Sequence, residues 1–140
     1  MDLTDLDLVE AGSAISSREI SPVDLAQAYL ERIKRLDPRL NCFLTVTAEA
    51  ALRSAYQAEE ESRRGAYRGP LHGIPIALKD LYETRGIRTT AGSKFYADYI
   101  PEADAFAVEK LLQAGVVLLG KLNMHEIALG VTKENPHFGP

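Results

Sequence analysis

The chain has 140 residues, 46% of them hydrophobic and 26% charged, with a formal net charge of −4. Such a length and composition suit one soluble domain with its own core, and the acidic balance argues against a nucleic-acid partner, which wants a basic face. Cys42 is the single cysteine, so an internal disulfide and a cysteine-based zinc site are both excluded.

No apolar run approaches membrane-spanning length, and the opening MDLTDLDLVE is acidic, unlike a signal peptide. The expected address is the cytoplasm, with no membrane association, metal or cofactor. Taken in order, residues 5–13 predict a short helix ending near Gly12. Ser21-Pro22 is a start signal, with Ser21 as N-cap, Pro22 at N1 and Asp24 at N3. The next helix carries Leu25, Tyr29, Ile33 and Leu36 on one stripe and is expected to stop at Asp37-Pro38. Leu40 to Val46 reads as an extended or irregular link. Thr47 caps a third helix over 48–64, with a small-residue face at Ala51, Ala55 and Ala58 and Gly65 just past its end.

The chemistry centres on Gly69 to Asp80, GPLHGIPIALKD. Over 74–79, Ile74, Ile76 and Leu78 share one strand face, while Pro75, Ala77 and Lys79 share the other. Lys79 thus ends a short apolar strand, and open α/β sheets place their chemistry at the C-terminal ends of strands. An amine carried into a partly dry site loses preference for its charged form and can serve as base or nucleophile. A surface lysine that merely ends a strand is the commoner fate of such a residue. Asp80 comes directly after, but successive strand residues point to opposite faces, which keeps it from Lys79.

A long connection, 81–102, then carries TTAGS at 89–93; loops of this length are usually functional or hold structure of their own. Asp104 is placed to cap a helix over 104–114, and Val116 to Leu119 reads as a strand covered on both faces. Strand, helix, strand makes a βαβ unit with the two strands parallel. Residues 123–129 predict a short helix, and ENPHFGP closes the chain in turn residues. Two strands alone leave sheet edges and a face uncovered.

Three other signals are weaker. Gly115 to Lys121, GVVLLGK, has phosphate-loop spacing, but Leu122 stands where a hydroxyl is needed and the intervening aliphatics suit a strand. His72, His125 and His137 have no helical pairing and read as hydrogen-bonded loop residues. Ser93 is the one serine shortly after Lys79 and reads as a loop serine.

GPLHGIPIALKD at 69–80, TTAGS at 89–93, AGVVLLGKLNMHEIALG at 114–130 and ENPHFGP at 134–140, in that order, resemble the N-terminal part of an amidase of the amidase signature family. That family includes the A subunit of glutamyl-tRNA amidotransferase. The resemblance is strong over the second half of the chain and general over the first. It implies an α/β amidase signature fold, a mixed β-sheet flanked by helices. Residues 1–65 would form a helical segment, and 66–140 the start of the α/β core with its βαβ unit, within one domain. It also implies hydrolysis of an amide C–N bond in a small-molecule substrate by a serine, a second serine behind a cis peptide bond, and a lysine. The lysine of the family's strand-end KD pair matches Lys79. Both serines belong to a Gly/Ser-rich stretch that has no counterpart among residues 1–140, so the isolated chain is expected to be inactive. Ile127 stands where the family often has Phe. The competing reading is an inactive truncated chain, or half of a split enzyme that needs a complementing C-terminal chain. Other amidotransferase subunits are the further partners the resemblance suggests.

Overall fold

In a computed structural model of the chain, residues 2–132 and 134–140 are described. A 3-10 turn at Leu3–Asp5 precedes α1, Leu8–Ser16. The predicted start lay too early. Asp7 caps α1, accepting from the backbone N–H of Val9 and Glu10 while the Glu10 carboxylate accepts from Asp7 N–H. Gly12, expected near the end of the helix, is buried inside it. A Cβ there would lie 2.8 Å from the Pro70 carbonyl oxygen, so the glycine lets α1 close on the strand-leading loop.

Helix α2, Pro22–Leu40, starts as expected, with Ser21 accepting from Val23 N–H. It does not stop at Asp37-Pro38. Pro38 lies in the last turn, where its missing N–H removes only one helical bond. The helix ends instead at Asn41, in the left-handed region at φ 50°. Asp37 Oδ1 there accepts from Cys42 and Phe43 N–H, turning the chain into β1, Phe43–Val46. Within the link read as extended or irregular, Phe43–Val46 is thus extended and forms a third strand. Helix α3, Ala48–Arg63, begins at Thr47, but the Thr47 hydroxyl does not cap it; it donates to Leu118 O at 2.8 Å.

Strand β2 is Pro75–Lys79, helix α4 is Phe106–Gln113 and strand β3 is Val117–Leu122. Asp104 does not cap α4: Ala105 holds the N-cap position and Asp104 Oδ1 accepts from Arg85 N–H across the preceding loop. The short helix expected at 123–129 is reduced to a 3-10 turn at Glu126–Ala128, because Ile127 takes φ 51°.

The sheet is ordered β1-β3-β2, with β2 parallel to β3, as expected for the βαβ unit, and β1 antiparallel to it. Helices α2 and α3 cover one face through Val23, Ala26, Ala51 and Ala55 packed on Val117 and Leu119. The small alanines let α3 lie close to the strand. On the other face α4 brings Val108 onto Leu78 and Leu118.

One irregularity decides which way the end of β3 faces. Ile76 pairs with Leu118 but Ala77 pairs with Gly120, so Leu119 is an extra residue in β3. Strict alternation would place residue 121 with Val117 and Leu119 beneath α2 and α3. The bulge instead pairs Lys121 with Leu78, on the α4 face. At Gly120 a Cβ would lie 2.2 Å from Thr45 O, so glycine is what lets β1 close against the bulge.

Candidate active site

At the C-terminal end of the parallel pair, Lys79 is paired with Leu122 and shares the α2–α3 face with Pro75 and Ala77. Its side chain is exposed and makes no hydrogen bond or ion pair among the described residues. On the same face an apolar cleft of about 350 Å³ opens between α2 and the sheet, lined by Tyr29, Ile33, Phe43, Pro75, Ala77 and Leu119.

Asp80, the next residue, turns the opposite way and is fully buried. Its Oδ2 accepts from Thr90 N–H at 2.8 Å and from the Thr90 hydroxyl at 2.5 Å. Its Oδ1 lies 3.3 Å from the ammonium of Lys121, itself without solvent exposure. The Lys121 Nζ also donates to Tyr82 O at 2.8 Å and to the Thr89 hydroxyl at 2.7 Å. Burial pushes the Lys121 amine below the ordinary lysine value, and Asp80, favouring the ammonium, opposes that.

Beyond this pair the motif segments converge. Ala91 N–H donates to Asp80 O, and Ala91 O accepts from Ile127 N–H at 2.7 Å. Buried Asn135 donates through Nδ2 to Gly92 O and Met124 O, and its Oδ1 accepts from His137 and Phe138 N–H. The KD strand end, TTAGS, the segment after β3 and the ENPHFGP turn are thus hydrogen-bonded into one cluster. Three non-glycine residues there, Ala91, Ile127 and Ala128, have φ between 51° and 58°. Non-glycine residues in this region are strained by about 1–3 kcal/mol each and gather at functional sites.

Ser93 is buried, and its hydroxyl donates to Glu126 Oε1 at 2.7 Å while accepting from Phe95 N–H. With its proton committed to a carboxylate, it caps a turn. The Ser93 hydroxyl, together with His137 Nε2 at 3.0 Å, holds the Glu126 carboxyl below the usual range. His72 is buried, accepting from Arg68 N–H at Nδ1, with Glu61 3.1 Å from its Nε2. Of the stretch Gly115 to Lys121, with its phosphate-loop spacing, residues from Val117 onward belong to the buried strand β3. Among the described residues no three His, Cys, Asp or Glu side chains gather to hold a metal, and no helix is long and apolar enough to cross a membrane.

Sequence reasoning singled out Lys79 and passed over Lys121. The bulge that turns Lys121 toward Asp80 has no sequence period. A usable signal was nonetheless present: an aspartate that cannot face Lys79 needs another cation once buried, and Lys121 stands two residues past the strand expected at 116–119.

The amidase family profile matches residues 24–140. The chain belongs to the amidase family. This amidase segment is 47% identical over 133 residues to the A subunit of glutamyl-tRNA(Gln) amidotransferase from Methylococcus capsulatus, covering 95% of the chain and 27% of that protein. Its fold matches a solved chain of a vestigial protein complex said to reveal the evolutionary origins of an s-triazine catabolic enzyme. There the TM-score is 0.92 at 39% identity, over 96% of this chain and 30% of the other. The peptide amidase of Stenotrophomonas maltophilia gives a TM-score of 0.80 at 39% identity, over 86% and 25%. The chain spans under a third of the length of these relatives. Its helices and small mixed sheet are consistent with the N-terminal portion of the amidase signature α/β fold.

Proposed function

We propose that this segment supplies the lysine base of an amide-hydrolysing site, with Lys79 in that role. The observation that carries the reading is the opposed aim of two adjacent residues. Asp80 is buried in an ion pair with Lys121, while the neighbouring Lys79 amine stands open at the strand end, uncommitted among the described residues and reachable by groups that approach from outside residues 1–140.

In the mechanism proposed, neutral Lys79 accepts a proton passed through the second serine of the family's triad. The nucleophilic serine, so activated, attacks the amide carbonyl carbon. Collapse of the tetrahedral intermediate breaks the C–N bond, and the proton returns to the leaving amine. Water then splits the acyl-serine ester by the same route, releasing the acid. Both serines lie outside these 140 residues, which alone are expected not to turn over amides. The likeness to an amidotransferase's A subunit supports assembly with other subunits as part of this proposal.

The test compares Lys79→Arg with Lys79→Ala in a polypeptide that carries these residues with the remainder of an amidase domain. Arginine keeps the charge but does not give up its proton in a protein. Both variants should therefore lose at least about 100-fold in kcat/KM, the usual scale of general-base catalysis. Recovery of most of the rate by arginine, in a variant shown by melting to be folded, would make Lys79 a structural cation.

A further inference from the structure

Lys121 is a wholly buried amine that the proposed reaction does not use, and the groups it bonds and pairs with form a pattern. Tyr82 O and Asp80 Oδ1 belong to the chain as it leaves β2, while the Thr89 hydroxyl belongs to the chain as it returns. One ammonium thus joins both ends of the 80–89 connection. Asp80 is held further by its own N–H on Leu122 O and by its carbonyl, which accepts from Ala91 N–H. Lys79 O accepts from Tyr82 N–H at 3.1 Å, so the backbone of the open lysine belongs to the same knot. A flexible exposed side chain reaches a defined place only if its backbone is fixed, and misplacement by about 1 Å can cost 100-fold in rate.

We propose that Lys121 is a positioning residue, which fixes the turn after β2 through Asp80, Tyr82 and Thr89 and so sets where the Lys79 amine is presented. This rests on the reading of Lys79 as the base. An apolar residue at 121 would take the donor from Tyr82 O and the cation from buried Asp80, and the turn would be free to leave the sheet. The bulge at Leu119 serves the same end, since it brings Lys121 to the Asp80 side.

The experiment is a double-mutant cycle of Lys121→Met with Lys79→Ala, in a polypeptide carrying the rest of the amidase domain. An activated aryl ester is the substrate, so that residual rates stay measurable. Lys121→Met should lower kcat by about 10- to 100-fold with KM changed less than threefold, and should cost little more once Lys79 is alanine. If Lys121→Met does not fold, the pair Lys121→Met/Asp80→Asn, which leaves no uncompensated charge, takes its place in the cycle. An equal loss with and without Lys79, or a loss confined to KM, overturns the positioning role. Full activity of Lys121→Met beside a crippled Lys79→Ala overturns it too, leaving the base assignment intact. Full activity of Lys79→Ala overturns the base assignment, and the role of Lys121 with it.

Discussion

Removing one charge of the buried pair should be among the most damaging single changes to this fold. In wild type the Asp80 and Lys121 side chains have 1% and 0% exposure, 3.3 Å apart. Lys121→Met leaves an aspartate that still accepts two bonds from Thr90 but has lost its cation. It also strips donors from Tyr82 O and Thr89. Breaking a buried pair from one side costs about 3–5 kcal/mol, and the Thr90 bonds put the expectation at the lower end, about 3 kcal/mol. Against the 5–15 kcal/mol typical of a domain that is a large share, and at this size it lowers Tm by roughly 10 °C. Urea melts of wild type, Lys121→Met and Lys121→Met/Asp80→Asn measure it. The double variant should regain a large part of the loss, because neutral partners of similar shape remove the stranded charge. A loss under about 1 kcal/mol for Lys121→Met, or a double variant no better than the single, would refute the reasoning.

Two further outcomes are expected from other parts of the molecule. Burial, only partly opposed by Glu61, holds His72 below the ordinary histidine value. The unfolded chain then binds the proton more readily, so this contribution is present above about pH 6.5 and is lost as pH falls through it. The Tm of wild type should drop more steeply than that of His72→Gln between pH 8 and 5.5; parallel curves would contradict this. Gly120→Ala should cost about 1–3 kcal/mol through forced overpacking, since its Cβ meets Thr45 O at 2.2 Å. Amide exchange should speed up first in Phe43–Val46, and unchanged protection there would count against the close approach.

The helices and the parallel pair were legible because their signals are local: Ser21-Pro22 for α2, the alanine stripe of α3, and the alternation at 74–79. Strand β1 was not, because FLTV is four residues long and takes its partners from 120–122, far along the chain. Pro38 misled in the other direction, since a proline near a helix end need not end it. The place of Lys79 at the end of a short strand was legible from period and position. The network behind it was not, because a bulge shifts alternation without marking the sequence, and the threonines of TTAGS look like any loop hydroxyls until Asp80 is seen on Thr90 and Lys121 on Thr89.

The order of strands in the sheet also bears on how the chain is made. Among the described strands β3, last of the three, is the middle one, and β1 and β2 do not pair with each other. During synthesis the partner that β1 and β2 share is missing until residues 117–122 have been added. Helices α2 and α3, which are near neighbours in the chain and share the core, are free to associate long before that. Their apolar face, meant for Val117 and Leu119, must wait uncovered in the nascent chain. The pairing of β1 closes a loop of more than 70 residues, which makes sheet formation a late and slow event compared with the helix pair. A ribosome pause before residue 117 would therefore prolong the exposure of that face, the period in which this segment is most open to chaperones and to misassembly.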